Sequence, residues 1–145
     1  MRYNKPKDES NLFVLDERLA HDCLRLGAFG LCEVLLFDDT RYDWLVLVPR
    51  RPGLVEFLDL SNAEQQQLAL EIQQTSHSLK EWRPTAKLNV GALGNVVSQL
   101  HVHLVLRESG DPAWPGPVWG HSAAHRHSAG DATERCAVWR QRLGL

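Results

Sequence analysis

From Gln99 to Leu104 the chain alternates polar and apolar residues, Gln-Leu-His-Val-His-Leu. A period of two belongs to a β-strand, where side chains two apart share a face with roughly 6.6 Å between successive members. Gln99, His101 and His103 therefore line one side, and Leu100, Val102 and Leu104 line the other. The apolar side suits burial against a core, and the polar row suits a cleft.

Other segments supply the partners such a strand needs. Residues 31–37 and 44–48 are compact apolar runs joined by the polar Asp38-Asp39-Thr40, the second ending at Pro49, and they read as paired strands. Residues 87–92 and 100–106 read as two more, separated by the turn-prone Gly94-Asn95. Leu15, Leu19, Cys23 and Leu26 stand at helical spacing, with Gly27 beyond them, which predicts a short amphipathic helix over residues 15–26. Ser61 followed by Glu64 is a capping-box pattern and opens a long helix that runs to Trp82, before Pro84. Leu60, Leu68, Ile72 and Leu79 form much of its apolar stripe, and its glutamines and charges are expected to face solvent. The connections are too short for repeated parallel crossovers, so the fold class is α+β, an antiparallel sheet with one long and one short helix.

A chain of 145 residues is the size of one domain. Its formal charge of −2 gives no sequence-wide attraction to nucleic acid or to an anionic membrane, so any phosphate site must be local. Residues 1–11 are polar, without a signal-peptide core, and no later run has membrane-spanning length, so a cytoplasmic protein is expected. Cys23, Cys32 and Cys136 show no CxxC spacing; Cys23 and Cys32 read as small buried hydrophobes. Residues 108–120 are irregular and rich in Pro and Gly, and an ordered loop clamped by Trp114 and Trp119 is expected.

The histidine row admits three readings from the residues alone. It is a partly solvated strand face, a metal site, or a reactive cleft. A metal needs a third ligand, and no Cys, Asp or Glu lies near in sequence; His121, His125 and His127 are the remaining candidates.

Residues 94–105 resemble the signature of the histidine triad (HIT) superfamily, His-φ-His-φ-His-φ-φ after a glycine, with φ apolar. His101 and His103 match the second and third histidines, and Gln99 stands in place of the first. The flanks add to the likeness: Leu35-Leu36-Phe37-Asp38-Asp39, Val46-Leu47-Val48-Pro49-Arg50 and Lys87-Leu88-Asn89-Val90 resemble the family's other site-bearing strands. The Trp-Pro-Gly-Pro-Val-Trp-Gly segment is similar to a bacterial branch that also carries Gln first. The resemblance divides the chain into an N-terminal extension (1–11), a nucleotide-binding domain (12–107) and a C-terminal extension (108–145) whose Trp-rich loop packs on the domain or on a dimer partner.

What the resemblance implies is specific. His101 is the nucleophile that attacks the α-phosphorus of a nucleotide, held through its other ring nitrogen by the backbone carbonyl of Gln99. His103 donates a hydrogen bond at the phosphate. Asn89 hydrogen-bonds near the phosphate, Asp39 receives the ribose hydroxyls, and Leu36 and Phe37 flank the base. A homodimer is implied, and neither a metal nor a cofactor is called for. Gln99 cannot gain or lose a proton near neutral pH, and Trp44 stands near the place of an accessory histidine in some hydrolytic branches. Two functions follow: a hydrolase or transferase acting on a nucleoside phosphoramidate or dinucleoside polyphosphate through a nucleotidyl-histidine, or a nucleotide-binding or sensing module with little chemistry. Direct binding of DNA or RNA is not expected, because the basic residues are dispersed.

Overall fold

The computed structural model describes residues 12–145; the N-terminal extension, 1–11, lies outside the described residues. Five antiparallel strands form one open sheet in the order β1-β2-β3-β5-β4, with β1 at Cys23–Ala28, β2 at Cys32–Phe37, β3 at Trp44–Pro49, β4 at Lys87–Gly91 and β5 at Val102–Arg107. Among the described residues three α-helices accompany them, α1 (Glu17–Asp22), α2 (Asn62–Trp82) and α3 (Ala129–Leu143), which makes an antiparallel α+β fold. Among the described residues no helix is long and apolar enough to cross a membrane.

The alternation of each strand splits the core in two. Val34, Leu36, Leu45, Leu47, Leu104 and Leu106 project to one face, where they pack with Leu68 and Leu79 of α2 and Cys136, Trp139 and Leu143 of α3. Leu35, Val46, Val48 and Val105 project to the other and meet Leu19, Tyr42, Trp44 and Val118. That second face carries His101 and His103, since His103 pairs across the ladder with Val46. Neighbours directly across a ladder share a face.

The capping box of α2 forms in both directions, Ser61 Oγ accepting from the Glu64 amide (3.2 Å) and the Glu64 carboxylate accepting from the Ser61 amide (3.0 Å). One charge of this helix departs from the solvated face expected for it. Glu71 is buried, and its carboxylate accepts from the amides of Leu31 (2.7 Å) and Cys32 (2.9 Å), with Gln67 Nε2 as a third donor. It satisfies backbone donors at the β1–β2 turn that burial would otherwise leave unpaired.

The first helix is shorter than its spacing suggests. It closes at Asp22, the Cys23 amide bonding back to Leu19 O, and the chain continues as edge strand β1, with Cys23 opposite Phe37 and Leu24 opposite Leu36. Cys23 and Leu26 satisfy a strand against β2 as well as they satisfy a helix, and sheet pairing wins. The third helix is the other departure. Its apolar stripe is only Cys136, Trp139 and Leu143 among arginines and glutamates, yet it covers the sheet as α2 does.

Between β5 and α3 the chain crosses the histidine face and passes the β2–β3 turn. Arg107, 2% exposed, clamps the first part: its Nε and Nη2 donate to Asp111 (2.8 and 3.0 Å), Nη2 also to Gly116 O (2.9 Å), and Nη1 to Asn89 Oδ1 (3.1 Å). The clamp is thus an arginine and one tryptophan rather than two tryptophans. Trp119 packs inward, whereas Trp114 stays on the surface with the Arg107 guanidinium 6.0 Å from its ring centre. Further on, Thr40 N donates to His125 O (2.8 Å), and the amide and Nδ1 of His127 both reach Asp38 Oδ1 (2.9 and 2.8 Å). The histidine-rich segment is therefore tied to the β2–β3 turn through the His125 carbonyl and His127, while His121 and His125 stay exposed.

Candidate functional site

A cleft of about 560 Å³ opens on the histidine face. Its floor is Trp44 of β3 with His101 and His103, and its sides come from α1, the turn after β4 and the segment after Val118. Phe37 lies stacked on Trp44, ring centres 4.0 Å apart. Trp119 stands edge-on to Trp44 at 6.4 Å and beside His103 at 5.6 Å. It fits because residue 91 is glycine: a Cβ there would lie 3.1 Å from the Trp119 ring. The result is an aromatic slot ending at two imidazoles whose ring centres are 4.8 Å apart.

The partners of those imidazoles fix their protons. His101 Nδ1 lies 2.6 Å from the Gln99 carbonyl oxygen, which can only accept, so His101 carries its hydrogen on Nδ1 and leaves Nε2 with a free lone pair. His103 Nδ1 lies 3.0 Å from Trp44 Nε1, and an indole N–H can only donate, so His103 Nδ1 accepts and its hydrogen sits on Nε2. A lone pair and an N–H therefore stand side by side.

Other residues of the polar row and its flanks lie elsewhere. The chain at Gln99 has not yet entered β5, and its carboxamide turns from the cleft to bind backbone, Oε1 accepting from Asp16 N (2.9 Å) and Nε2 donating to Val14 O (2.8 Å). It secures the N-cap of α1. Leu36 does not reach the cleft; strand alternation sends it to the opposite face, 1% exposed, beneath the helices. Asn89 is on the histidine face but is bound to Arg107 and does not line the cleft. Asp39 and Phe37 both line it.

The HIT domain family matches residues 18–110, more than half of the chain. The chain belongs to the HIT family. It is similar to crystal structures of histidine triad proteins from Bradyrhizobium japonicum (43% identity, TM-score 0.86, covering 91% of this chain and 98% of that one) and Marinobacter aquaeolei (42%, 0.88, 92% and 97%). A third, from Sinorhizobium meliloti, is 41% identical with a TM-score of 0.84 over 91% of this chain and 95% of that one. No curated protein matches the sequence.

Within this HIT fold two functional features escape a reading by motif. Trp44 is a tautomer lock as well as a floor, which only the ladder register reveals, since it places Trp44 against Val105 two residues from His103. Arg41 occupies the Asp39 carboxylate from two residues away, Nε to Oδ1 at 2.9 Å and Nη2 to Oδ2 at 2.7 Å. Burial works to raise the Asp39 pKa, but these bonds outweigh it and hold the carboxyl below its ordinary range. An acidic residue followed closely by arginine in a turn was the available signal.

Burial, with the neighbouring His101 as a second cause, pushes the His103 pKa down to about 3. The folded value lies below that of an unfolded histidine, about 6.5, so the unfolded chain binds the proton first. The stabilisation is complete above about pH 6.5 and is lost as pH falls toward 3. At about 1.4 kcal/mol per pH unit, stability is expected to fall by about 2 kcal/mol between pH 6.5 and 5. Urea unfolding across that range tests this. His103→Gln, which does not titrate, should remove that share of the slope; an unaltered slope would assign it to other groups.

Proposed function

We propose that this HIT-family protein binds a nucleotide in the cleft and cleaves it at the α-phosphorus, as a hydrolase or transferase of nucleoside phosphoramidates or dinucleoside polyphosphates. The observation that carries the reading is the opposed pair of tautomers, a bare His101 Nε2 beside a His103 Nε2–H. In this reading the aromatic slot of Phe37, Trp44 and Trp119 receives the base. The His101 lone pair attacks phosphorus, a P–Nε2 bond forms, and the bond to the leaving group breaks with its electron pair going to that group, which takes a proton from solvent when it departs as an amine. His103 Nε2–H stabilises the charge that develops on oxygen. The His101 ring becomes cationic in the intermediate, and the Gln99 carbonyl facing Nδ1–H favours that charge. Water, or another acceptor, then displaces His101 and restores the resting site. The reading includes a homodimer in the cytoplasm working on small nucleotides rather than nucleic acid.

A second reading rests on Gln99, whose side chain is committed to Val14 and Asp16 and has no proton to exchange. It is a nucleotide-binding or sensing module with little turnover. Intact-mass spectrometry of the protein mixed with adenosine 5′-phosphoramidate and quenched without acid separates the two. A nucleotide-sized adduct is expected. Binding by calorimetry without adduct or product would favour the module, and absence of binding would end both readings.

A further inference from the structure

A bond that breaks at phosphorus sends its electron pair to the leaving group, and what that group needs next depends on its chemistry. A phosphate departs as a stable oxyanion, whereas an amine departs only when a proton reaches its nitrogen. That proton comes from the site or from water.

Among the described residues that line the cleft, none has such a proton to give. His103 stands where an acid would act, but its Nδ1 accepts from Trp44 Nε1 at 3.0 Å, and an indole N–H can only donate. A second proton on His103 would set two donors against each other around a side chain that is only 6% exposed. Burial and the neighbouring His101 act in the same direction, pushing its pKa down to about 3. His103 therefore holds a single hydrogen, on Nε2, and surrendering it would leave an imidazolate. His101 is the nucleophile, and its own hydrogen points away, to the Gln99 carbonyl at 2.6 Å. Asp22 and Asp39 are carboxylates bonded to arginine, with no proton to give near neutral pH. Their partners Arg18, Arg41 and Arg126 stay protonated. The Gln99 carboxamide is bonded to Val14 and Asp16, turned from the cleft.

We propose that the Trp44–His103 lock leaves the cleft without a proton donor for the leaving group, so that it favours nucleotides joined through a phosphate anhydride over nucleotides joined to an amine. The inference rests on the nucleotide reading of the cleft and narrows it to one substrate class. The His101 lone pair forms the P–Nε2 bond, the P–O bond of the anhydride breaks, and its electron pair goes to the bridging oxygen. That oxygen leaves as an oxyanion, accepting a hydrogen bond from His103 Nε2–H but no proton. A phosphoramidate follows the same route more slowly, because its nitrogen waits for a solvent proton. Trp44 is a positioning residue here and acts through His103.

Rates of adenylyl transfer to His101 at saturating diadenosine triphosphate and at saturating adenosine 5′-phosphoramidate test it, read by intact mass after a rapid quench without acid. The ratio of the anhydride rate to the phosphoramidate rate is expected to rise about tenfold per pH unit between about pH 7 and 9, and to exceed about a hundredfold at pH 8, the usual share of a general acid. Ionisation of the protein itself moves both rates alike, so the ratio reports the leaving group. A ratio that stays constant with pH, or lies within about tenfold of unity at pH 8, overturns the proposal and leaves the nucleotide reading standing. Adduct from neither substrate removes the catalytic reading and the proposal with it. In Trp44→Gln, whose carboxamide oxygen can accept from Nδ1–H, His103 can hold both hydrogens, and the ratio should lose much of its slope. A folded Trp44→Gln with the parent's slope overturns the role of Trp44. Should that variant not fold, as circular dichroism would show, the ratio measured on the unmodified protein still decides.

Discussion

Turnover of a nucleoside phosphoramidate is expected to fall at least about a thousandfold in His101→Ala, with the fold retained. Among the described residues that line the cleft, only His101 presents an unprotonated ring nitrogen to it, because the Gln99 carbonyl holds its hydrogen on the far side. His103 cannot substitute for it. Its Nδ1 accepts from Trp44 and its Nε2 carries the hydrogen, so it has no lone pair to offer without giving up a buried bond. The alanine variant loses one hydrogen bond, to the Gln99 carbonyl ahead of β5, and no packing beneath the helices, so its circular dichroism should match that of the parent. Steady-state rates and intact mass check the two halves together. A rate within tenfold of the parent would refute His101 as the nucleophile, and an adduct persisting in the variant would move the covalent step elsewhere.

The largest expected effect on stability comes from Arg107→Ala, a loss of about 3–5 kcal/mol, the usual range when one partner of a buried ion pair is removed. Arg107 is the hub of the loop after β5, joining Asp111, Gly116 O and Asn89. Burial tends to raise the Asp111 pKa, and the paired guanidinium outweighs it, holding the carboxyl below its ordinary range. Without Arg107 that carboxylate keeps only the amides of Glu108 and Ala113. Urea unfolding at pH 7 measures the loss. Arg107→Lys should recover part of it, since an ammonium restores charge but not the planar fork that reaches three partners. A loss under about 1 kcal/mol for the alanine variant would mean that water replaces the arginine without cost.

What was legible in the chain follows from how local each signal is. The alternation from Leu100 to Leu106 and the Ser61–Glu64 box are decided by residues that touch in sequence, and both stand in the structure as read. The strand at Cys23–Ala28 was hidden because Cys23 and Leu26 continue the helical spacing of Leu15 and Leu19, and only pairing with β2 places them in a strand. Helix α3 was hidden because three buried side chains among many charges give a weak stripe, while burial of Trp139 against the sheet supplies most of its reason to form. In the site, His101 and His103 were legible as a pair. The role of Trp44 and the turning away of Gln99 depend on contacts across ladders or over long separations, which no spacing rule encodes, whereas the Asp39–Arg41 pair is local.

The order in which the chain is laid down gives the Arg107-to-α3 run another meaning. All five strands exist once Arg107 has been synthesised, yet Trp119, Ser122, Ala123 and Arg126 of the cleft and the whole of α3 come later. A chain ending at Arg107 holds the residues of all five strands but lacks those of α3 that cover Leu26 and its neighbours and those of one wall of the cleft. The last wall of the cleft, through Arg126, is laid down just before the helix that covers the back of the sheet.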